Sequence, residues 1–283
     1  MRGIVLLLAA TFLFCISDVF AKILAEHLPV IEIGWIRYLT FVVMILGANW
    51  HTGRLSLRVQ SWRDQVFRGV MLVASAILFI YSLRYLALAD AAAVGFVSPL
   101  LITMLSVPML RETVGIRRWL AICVGFVGVL IVIRPGMGTF QPAAFLVLAS
   151  SLAWAFASIL TRRMATTEDI QATLLWSSCT GLVLLSVIVP FDFVVPSWSH
   201  LVLNVALGVI ASVGQYLTVL AYRYAGAALL APFSYIQLIW AISLGYMFFG
   251  TLPDQITLVG SAVIVASGLY TIHRERIRRA QKS

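Results

Sequence analysis

Apolar stretches of about 20 residues follow one another along almost the whole chain. We read ten, numbered here as segments 1 to 10: 4–25, 30–49, 67–86, 90–110, 115–133, 142–163, 170–189, 201–222, 226–249 and 256–272. A helix of about 20 residues crosses the hydrocarbon core of a bilayer. Hydrophobic residues make up 61% of the 283 residues and charged residues 11%, against about 45–50% and about 25% in soluble domains. The pattern predicts an all-α integral membrane protein with ten transmembrane helices.

The second half of the chain repeats the residue pattern found at the segment ends of the first half. Arg84 and a following tyrosine end one apolar segment before an alanine-rich start to the next. Arg223 and its following tyrosine do the same 139 residues later. A weaker echo relates 9–22 to 149–162. The spacing predicts an internal repeat, because shared positions recur at offsets of about 139 residues through both halves.

Each half of the chain contains five segments, which is an odd number. The second copy would therefore begin on the opposite side of the membrane, giving two inverted five-helix repeats at 1–137 and 138–283, the latter with a basic tail from about 273. Many secondary transporters build a binding site between inverted repeats near the bilayer midplane. The architecture therefore favours a carrier.

Basic residues are distributed unevenly about the membrane. With the N-terminus in the cytoplasm, four of the twenty Lys and Arg residues fall on the other face or in outer helix halves: Lys22, Arg37, Arg84 and Arg134. The remaining sixteen are cytoplasmic: Arg2, Arg54, Arg58, Arg63, Arg68, Arg111, Arg117, Arg118, Arg162, Arg163, Arg223, Arg274, Arg276, Arg278, Arg279 and Lys282. The positive-inside rule then places both termini in the cytoplasm. We interpret the basic tail as a ligand for anionic lipid, not for nucleic acid.

Charged residues within the segments are functional candidates, because they are costly in a bilayer. Asp18 lies in the outer half of segment 1, with Lys22 one turn further on the same face, and Arg37 enters segment 2 at similar depth. Two interpretations stay open. Either Asp18 and Lys22 form a structural ion pair, or Asp18 faces a cavity and binds a substrate charge or a proton. Arg84 and Arg223 are interpreted as boundary residues that reach toward the interface.

Aromatic, amide and hydroxyl side chains give several segments a polar face. A polar face serves either a cavity or a seam between helices. Aromatic rings beside amide groups would suit a small amphipathic metabolite. The candidates for one central cavity, with the two charged residues Asp18 and Arg37, are Tyr81, Tyr85, Trp154, Ser158, Gln215, Tyr216, Tyr235, Gln237 and Trp240.

Proline and glycine mark other roles. Pro99 and Pro232 should bend segments 4 and 9, either as gating pivots or as static kinks. Small residues in segments 5 and 10 suit close packing, so these segments are predicted to be scaffold and to allow a homodimer. The sequence has no phosphate-binding loop, paired cysteine motif or metal-ligand spacing. We expect no enzyme activity, cofactor or metal.

The whole chain resembles the EamA-type drug/metabolite transporter superfamily. The resemblance rests on 9–22, 35–38, 89–101 with Arg111-Glu112, 125–136 and 220–241 together. It implies a ten-helix carrier with its cavity among segments 1–4 and 6–9. The branch that it resembles most contains bacterial exporters of amino acids and related metabolites, including those of the YddG type.

One departure from the family pattern concerns segment 1. Phe14-Cys15 stands where many members have Trp-Gly, although Trp154 is present at the equivalent place in segment 6. The resemblance implies alternating access for an amino acid or related small molecule, most simply as an exporter of amino acids, including aromatic ones. Uptake of riboflavin or S-adenosylmethionine, a lipid flippase and a non-transporting scaffold are the alternatives.

Overall fold

The computed structural model of the chain describes residues 2–50, 59–110, 115–134, 142–164, 167–224, 230 and 233–280. Eleven α-helices are bounded within these ranges. They are α1 Arg2–Ala25, α2 Val30–Trp50, α3 Trp62–Ser82, α4 Leu88–Gly95, α5 Ser98–Leu110, α6 Ile116–Ile133, α7 Ala144–Met164, α8 Ile170–Ile188, α9 Trp198–Tyr224, α10 Ile236–Phe249 and α11 Gln255–Ala280.

These helices correspond to the ten predicted segments, with α4 and α5 together forming segment 4. In the described part of the chain, seven spans are long and apolar enough to cross a membrane, and three shorter apolar helices lie in segments 5, 9 and 10. The prediction of an all-α integral membrane protein is confirmed. Helix α3 begins five residues before the predicted start of segment 3, because an amphipathic turn precedes its apolar run, and α11 continues eight residues beyond the predicted end of segment 10.

Segment 4 breaks between α4 and α5, and Pro99 explains the break. A proline has no N–H to donate to the carbonyl four residues before it, which here belongs to Gly95. Two hydroxyls supply the missing donors: Ser98 Oγ donates to Gly95 O at 2.7 Å and Ser151 Oγ of α7 at 3.5 Å. Pro232, its predicted counterpart in segment 9, lies outside the described residues.

The helix pairs with the most extensive contacts follow the predicted repeat. Replacing each segment by the equivalent segment of the other half, which is five further on or five back, turns each of these pairs into another pair in contact or leaves it unchanged. This replacement turns the α1–α9 pair into the α3–α7 pair. It likewise turns α1–α10 into α5–α7, and α2–α9 into α3–α8. Three others map onto themselves: α2–α8, α4–α10 and α6–α11. A two-fold relation between the halves of the chain would produce this pattern.

Helices α6 and α11 approach each other at two glycines. A Cβ on Gly128 would lie 2.9 Å from Gly260 O, and a Cβ on Gly260 would lie 2.9 Å from Gly128 O. Ser267 Oγ also donates to Ala121 O across this seam at 2.6 Å. Small residues allow this close approach. The small-residue face expected to serve a homodimer is therefore occupied within one chain.

The two ends of the bundle can be told apart by their contacts. At the end that holds connection 26–29, here called the first-loop end, His27 stacks on His200 with ring centroids 4.8 Å apart. Glu32 Oε2 accepts from Val194 N there at 3.1 Å. At the opposite, N-terminal end, Glu168 Oε1 accepts from Gln60 N at 2.8 Å.

An ion pair ties α6 to α11 at the first-loop end. Arg134, which follows α6 with a φ of 52°, pairs with Asp254 just before α11. Asp254 Oδ1 also accepts from Thr257 N at 2.8 Å and so caps α11. Hydrogen bonds from the guanidinium and from Thr257 hold the pKa of Asp254 below its ordinary value. The pair therefore stays ionised at neutral pH.

Candidate functional site

Asp18 lies on α1, seven residues before the helix ends at Ala25. Its side chain is partly buried and lies on the side of the helix that is turned toward the bundle. Val5 and Phe12, which are 63% and 37% exposed, lie on the other side of the helix. Among the described residues, Asp18 has neither a hydrogen bond nor an ion pair.

Arg37 lies on α2 at comparable depth, seven residues after the helix begins at Val30. It is partly buried, and its charge acts on the Asp18 carboxylate without a direct ion pair. Two opposite charges thus face each other inside the bundle while their polar atoms keep hydrogen-bonding capacity. A group carrying both charges could bind between them.

The ion pair proposed from sequence between Asp18 and Lys22 is not formed, so that interpretation is wrong. Lys22 Nζ donates to Leu83 O at 2.8 Å and to Leu86 O at 2.7 Å, in the connection after α3. A lysine ammonium has three donors, and two of them are used by these carbonyls. Asp18 is therefore not neutralised by its neighbour on the helix.

Trp154 and Ser158 of α7 also face inward. Phe145 and Leu152, which are 54% and 39% exposed, mark the outer face of α7. Trp154 lies roughly 200° around the helix from Leu152, and Ser158 follows one turn later on the same face. Both are only partly buried. In the 9–22 and 149–162 echo, Ser158 occupies the position equivalent to Asp18.

Two neighbouring residues of α9 separate onto different faces. Tyr216 is 47% exposed and belongs to a stripe at three- and four-residue spacing. The other members of this stripe are four exposed valines: Val202, Val205, Val209 and Val213. Such a stripe is typical of a lipid-facing surface, so Tyr216 faces away from the bundle interior. Gln215 lies on the inward half of α9 and is partly buried.

The three candidates of segment 9 lie in different surroundings. Tyr235 is 6% exposed, and its ring lies 5.3 Å from that of Phe96. Trp240 contacts Phe12 edge-on at 5.2 Å. Tyr235 therefore lies within the apolar packing, whereas Trp240 is partly buried and contacts a residue on the outward side of α1. Gln237 is partly buried, and its carbonyl oxygen lies 3.5 Å from Cys15 Sγ, one turn from Asp18 on α1.

Tyr81 and Tyr85 lie at the first-loop end and not in the middle of a span. Tyr85 follows the end of α3 at Ser82, and the two tyrosines are 40% and 58% exposed. Their rings lie 5.8 Å apart. Arg84 between them is itself exposed at this end of the bundle. Its guanidinium donates to backbone carbonyls of the connection after α1.

The structure also buries an arginine that the sequence placed at the cytoplasmic surface. Arg68 of α3 is 1% exposed. Its Nε donates to Thr161 Oγ1 at 2.6 Å, and Nη1 donates to Thr173 O at 3.3 Å and to Ser177 Oγ. Arg68 therefore joins α3 to α7 and α8. Its position at the second residue of predicted segment 3 gave no sign of this, since an arginine there could equally well snorkel to the interface.

Six candidates thus remain on inward, partly accessible surfaces: Asp18, Arg37, Trp154, Ser158, Gln215 and Gln237. Across the described ranges, no three His, Cys, Asp or Glu side chains come together as a set of metal ligands. The arrangement is that of a polar, partly charged interior within an apolar bundle.

The model of the EamA-like transporter family matches residues 1–134 and again residues 141–272. The chain belongs to the EamA-like transporter family. Members of this family are transporters, not enzymes. The chain is therefore a multi-pass membrane transporter, with a small molecule as substrate and the bilayer as surroundings.

Three relatives with known transport roles are similar over nearly the full length. The S-adenosylmethionine uptake transporter of Rickettsia prowazekii is 25% identical over 100% of this chain and 96% of its own. The riboflavin transporter of Vibrio cholerae is 28% identical, with coverages of 94% and 91%. The pseudopaline exporter of Pseudomonas aeruginosa is 24% identical, with 94% of each chain covered. These relatives differ in both substrate and direction.

One crystal structure shares the fold of this EamA-like chain. The TM-score is 0.67 at 19% sequence identity, and the match covers 96% of this chain and 97% of that one. At this identity the likeness concerns the fold alone.

Proposed function

We propose that this transporter exports a small zwitterionic metabolite, most simply an amino acid, by alternating access. The observation that carries the proposal is the pair of opposite charges on α1 and α2. Asp18 suits an ammonium group and Arg37 a carboxylate, and neither is used in a hydrogen bond or an ion pair among the described residues. An α-amino acid presents both groups on one carbon.

Side-chain specificity would come from the other inward residues. Trp154 offers an aromatic face, and Gln215 and Gln237 lie on α9 and α10, across the bundle from α7. Ring and amide groups together accept both apolar and polar side chains. This set suits aromatic amino acids among the substrates.

Riboflavin and S-adenosylmethionine are the second candidates, because relatives transport them. S-Adenosylmethionine also carries an ammonium and a carboxylate, so it would use the same two charges. Riboflavin carries neither, and its flat ring would depend on Trp154. The dependence of transport on Asp18 and Arg37 therefore separates the substrate classes.

We further propose two inverted repeats, 1–137 and 138–283, with both termini in the cytoplasm of a bacterial inner membrane. The twofold family match and the exchange of helix contacts support the repeats. The positive-inside distribution supports the orientation, which makes the first-loop end the outer end. A homodimer through segments 5 and 10 would use the lipid-facing sides of α6 and α11, for example Val124 and Val259.

Counterflow in proteoliposomes tests the substrate class. Labelled amino acids, riboflavin and S-adenosylmethionine are offered to vesicles preloaded with the same unlabelled compound. The variants are Asp18→Asn and Arg37→Gln, with Asp64→Asn, in the first turn of α3, as the control. We expect amino-acid counterflow that both site variants abolish and the control keeps. Riboflavin counterflow insensitive to both variants would replace the proposal, and no counterflow of any compound would refute it.

A further inference from the structure

The connection after α1 and the connection after α3 bind each other through their cations. Lys22, in the last turn of α1, donates to Leu83 O and Leu86 O at 2.8 and 2.7 Å. Its Nζ also lies 5.5 Å from the centre of the Phe249 ring of α10. Lys22 therefore caps the carbonyl end of a helix that is not its own.

Arg84, just after α3, makes the reverse contact. Its Nε donates to Ala25 O at 2.8 Å and its Nη2 to Leu28 O at 2.7 Å. The last carbonyls of a helix lack backbone donors and carry the negative end of its dipole, so a cation binds them well. Ala25 is the last residue of α1 and Leu83 follows the last residue of α3, whereas Leu28 and Leu86 lie in the connections beyond them. Each helix end and the connection after it are thus bonded to a cation from the other. We call this four-bond arrangement the reciprocal cap.

The acceptors of the reciprocal cap belong to buried residues. Ala25, Leu28, Leu83 and Leu86 are 2%, 3%, 1% and 4% exposed. An open hollow of about 580 Å³ lies at the surface beside them, lined in part by Arg84, and gives water access to the outside of the cap. Asp18 lies one turn below Lys22 on the inner side. The reciprocal cap therefore stands between the hollow and the proposed substrate site.

We propose that the reciprocal cap is the gate at the first-loop end of the transport pathway. While Lys22 and Arg84 hold the carbonyls, the ends of segments 1 and 3 are fixed together and the route from Asp18 to the hollow is closed. Release of the four bonds lets these ends separate. The gate depends on the transport function and on no particular substrate.

The repeat supplies an equivalent pair at the other end. Lys22 aligns with Arg162 in the 9–22 and 149–162 echo, and Arg84 aligns with Arg223. Arg162 lies in the last turn of α7 and Arg223 in the last turn of α9. Both helices end at the N-terminal end of the bundle. Alternating access requires one closed end at a time, so this second pair closes the N-terminal end when the reciprocal cap is open.

Native Cys15 reports whether the first-loop end is open. It lies on α1 seven residues below Lys22, about 10 Å deeper, and is 1% exposed. With Cys123→Ser and Cys179→Ser it is the single thiol of the chain. Labelling by a membrane-impermeant maleimide from the first-loop side is measured in right-side-out vesicles. Lys22→Met with Arg84→Met should raise the labelling rate about tenfold or more, because four bonds from charged donors are lost.

Two controls separate a gate from a general effect of charge. Lys22→Arg with Arg84→Lys keeps two cations facing carbonyl acceptors and should restore most of the protection. Glu26→Gln changes an exposed charge that acts on Lys22 and accepts none of its hydrogen bonds, and it should label as the parent does. Arg162→Met with Arg223→Met should slow labelling from the first-loop side.

Folding is checked by size-exclusion chromatography and thermal unfolding of each variant. If Lys22→Met with Arg84→Met lowers stability while Cys15 labelling keeps the parent rate, the contacts are static helix caps and the proposal is refuted. If that double variant does not fold, Arg84→Gln alone gives the decision by the same labelling measurement. Loss of protection without any measurable transport would keep the gate and reject the assigned substrates instead.

Discussion

Charged side chains inside a bilayer persist where something compensates them, and this chain shows three kinds of compensation. Asp18 faces an opposite charge, Arg37, that does not touch it. Lys22 is satisfied by two carbonyls. Arg68 is satisfied by a carbonyl and two hydroxyls. Only the first arrangement leaves hydrogen-bonding capacity for another molecule, which is why Asp18 and Arg37 are assigned to the substrate.

Asp18→Asn should reduce transport without reducing stability. The variant loses a charge-assisted contact to substrate, worth about 10- to 100-fold in rate, and breaks no hydrogen bond or ion pair among the described residues. Transport is measured by counterflow and stability by thermal unfolding in detergent. Adding Lys22→Met should lower stability and restore nothing, because Lys22 does not pair with Asp18. Recovery of transport in the double variant would contradict this assignment.

Arg68→Lys should destabilise the fold although the charge is kept. One ammonium cannot reach the three acceptors that the planar guanidinium serves on α7 and α8. We expect a loss of about 1–3 kcal/mol in the free energy of unfolding. Arg63→Lys is the matched control, since Arg63 is exposed five residues earlier on α3 and its guanidinium lies over the Trp62 ring. Equal stability of both variants would show that Arg68 is not a structural tie.

At the scale of elements, helices in this bundle are joined by two kinds of contact. The α6–α11 seam uses backbone-to-backbone contact at glycines. In contrast, hydrogen bonds from one cation, Lys22, join α1 to the residues after α3. Hydrogen bonds from another, Arg68, join α3 to α7 and α8. Backbone contact in a bilayer is permanent once formed, whereas a cation can leave its acceptors. The first kind therefore suits scaffold and the second suits parts that move.

Gly128→Ala should destabilise the α6–α11 seam. The added Cβ would meet Ile264 Cγ1 at 2.8 Å and Gly260 O at 2.9 Å, which costs about 1–3 kcal/mol. Gly47→Ala of α2 is the control, since nothing lies within 4 Å of its Cβ position. That change should be neutral or stabilising by up to about 1 kcal/mol. The stability of both variants is measured by thermal unfolding. An equal change in stability in the two variants would contradict close packing at the seam.

The Arg134–Asp254 tie should make stability depend on pH only in acid. The pKa of Asp254 is lower in the folded protein than its ordinary value. Its contribution is therefore complete above the ordinary carboxyl pKa and is lost as pH falls toward the folded value. The stability difference between parent and Asp254→Asn should be constant from about pH 5 to 8 and shrink below about pH 4. A difference that grew in acid would reject the ion pair as its cause.

At the scale of the whole molecule, the halves are joined by contacts that repeat with a shift of five segments. Helices α1 and α9 belong to different halves, and so do α3 and α7. The proposed site therefore lies between the halves, with α1 and α2 from one and α7, α9 and α10 from the other. Rocking of one half against the other would open it to each side in turn.

Reporter fusions test the orientation on which this depends. Green fluorescent protein fused after the last residue should be fluorescent if the tail is cytoplasmic as proposed. Alkaline phosphatase inserted in the exposed connection 193–197 should be active, because that connection lies at the first-loop end. Alkaline phosphatase at the C-terminus serves as the control and should be inactive. The opposite pattern would invert the assignment of the two ends.

The sequence predicted the segments well because their length and apolarity are set by the bilayer. It could not predict which face of each helix points inward, because lipid and protein interior are both apolar. Tyr216 was therefore placed in the cavity with Gln215, although it lies among lipid-facing valines. Partners of Lys22 and Arg84 were missed for another reason. Their acceptors are backbone carbonyls, which every residue carries and no sequence distinguishes.

The break at Pro99 has a consequence for how segment 4 can move. In an unbroken span, bending stretches a backbone hydrogen bond, and a bare carbonyl in hydrocarbon costs several kcal/mol. Gly95 O instead accepts hydrogen bonds from the rotatable hydroxyls of Ser98 and Ser151. A hydroxyl follows its acceptor through a change of angle that a fixed amide cannot follow. Segment 4 can therefore bend at little free-energy cost while the Gly95 carbonyl keeps its hydrogen bonds to the two serines.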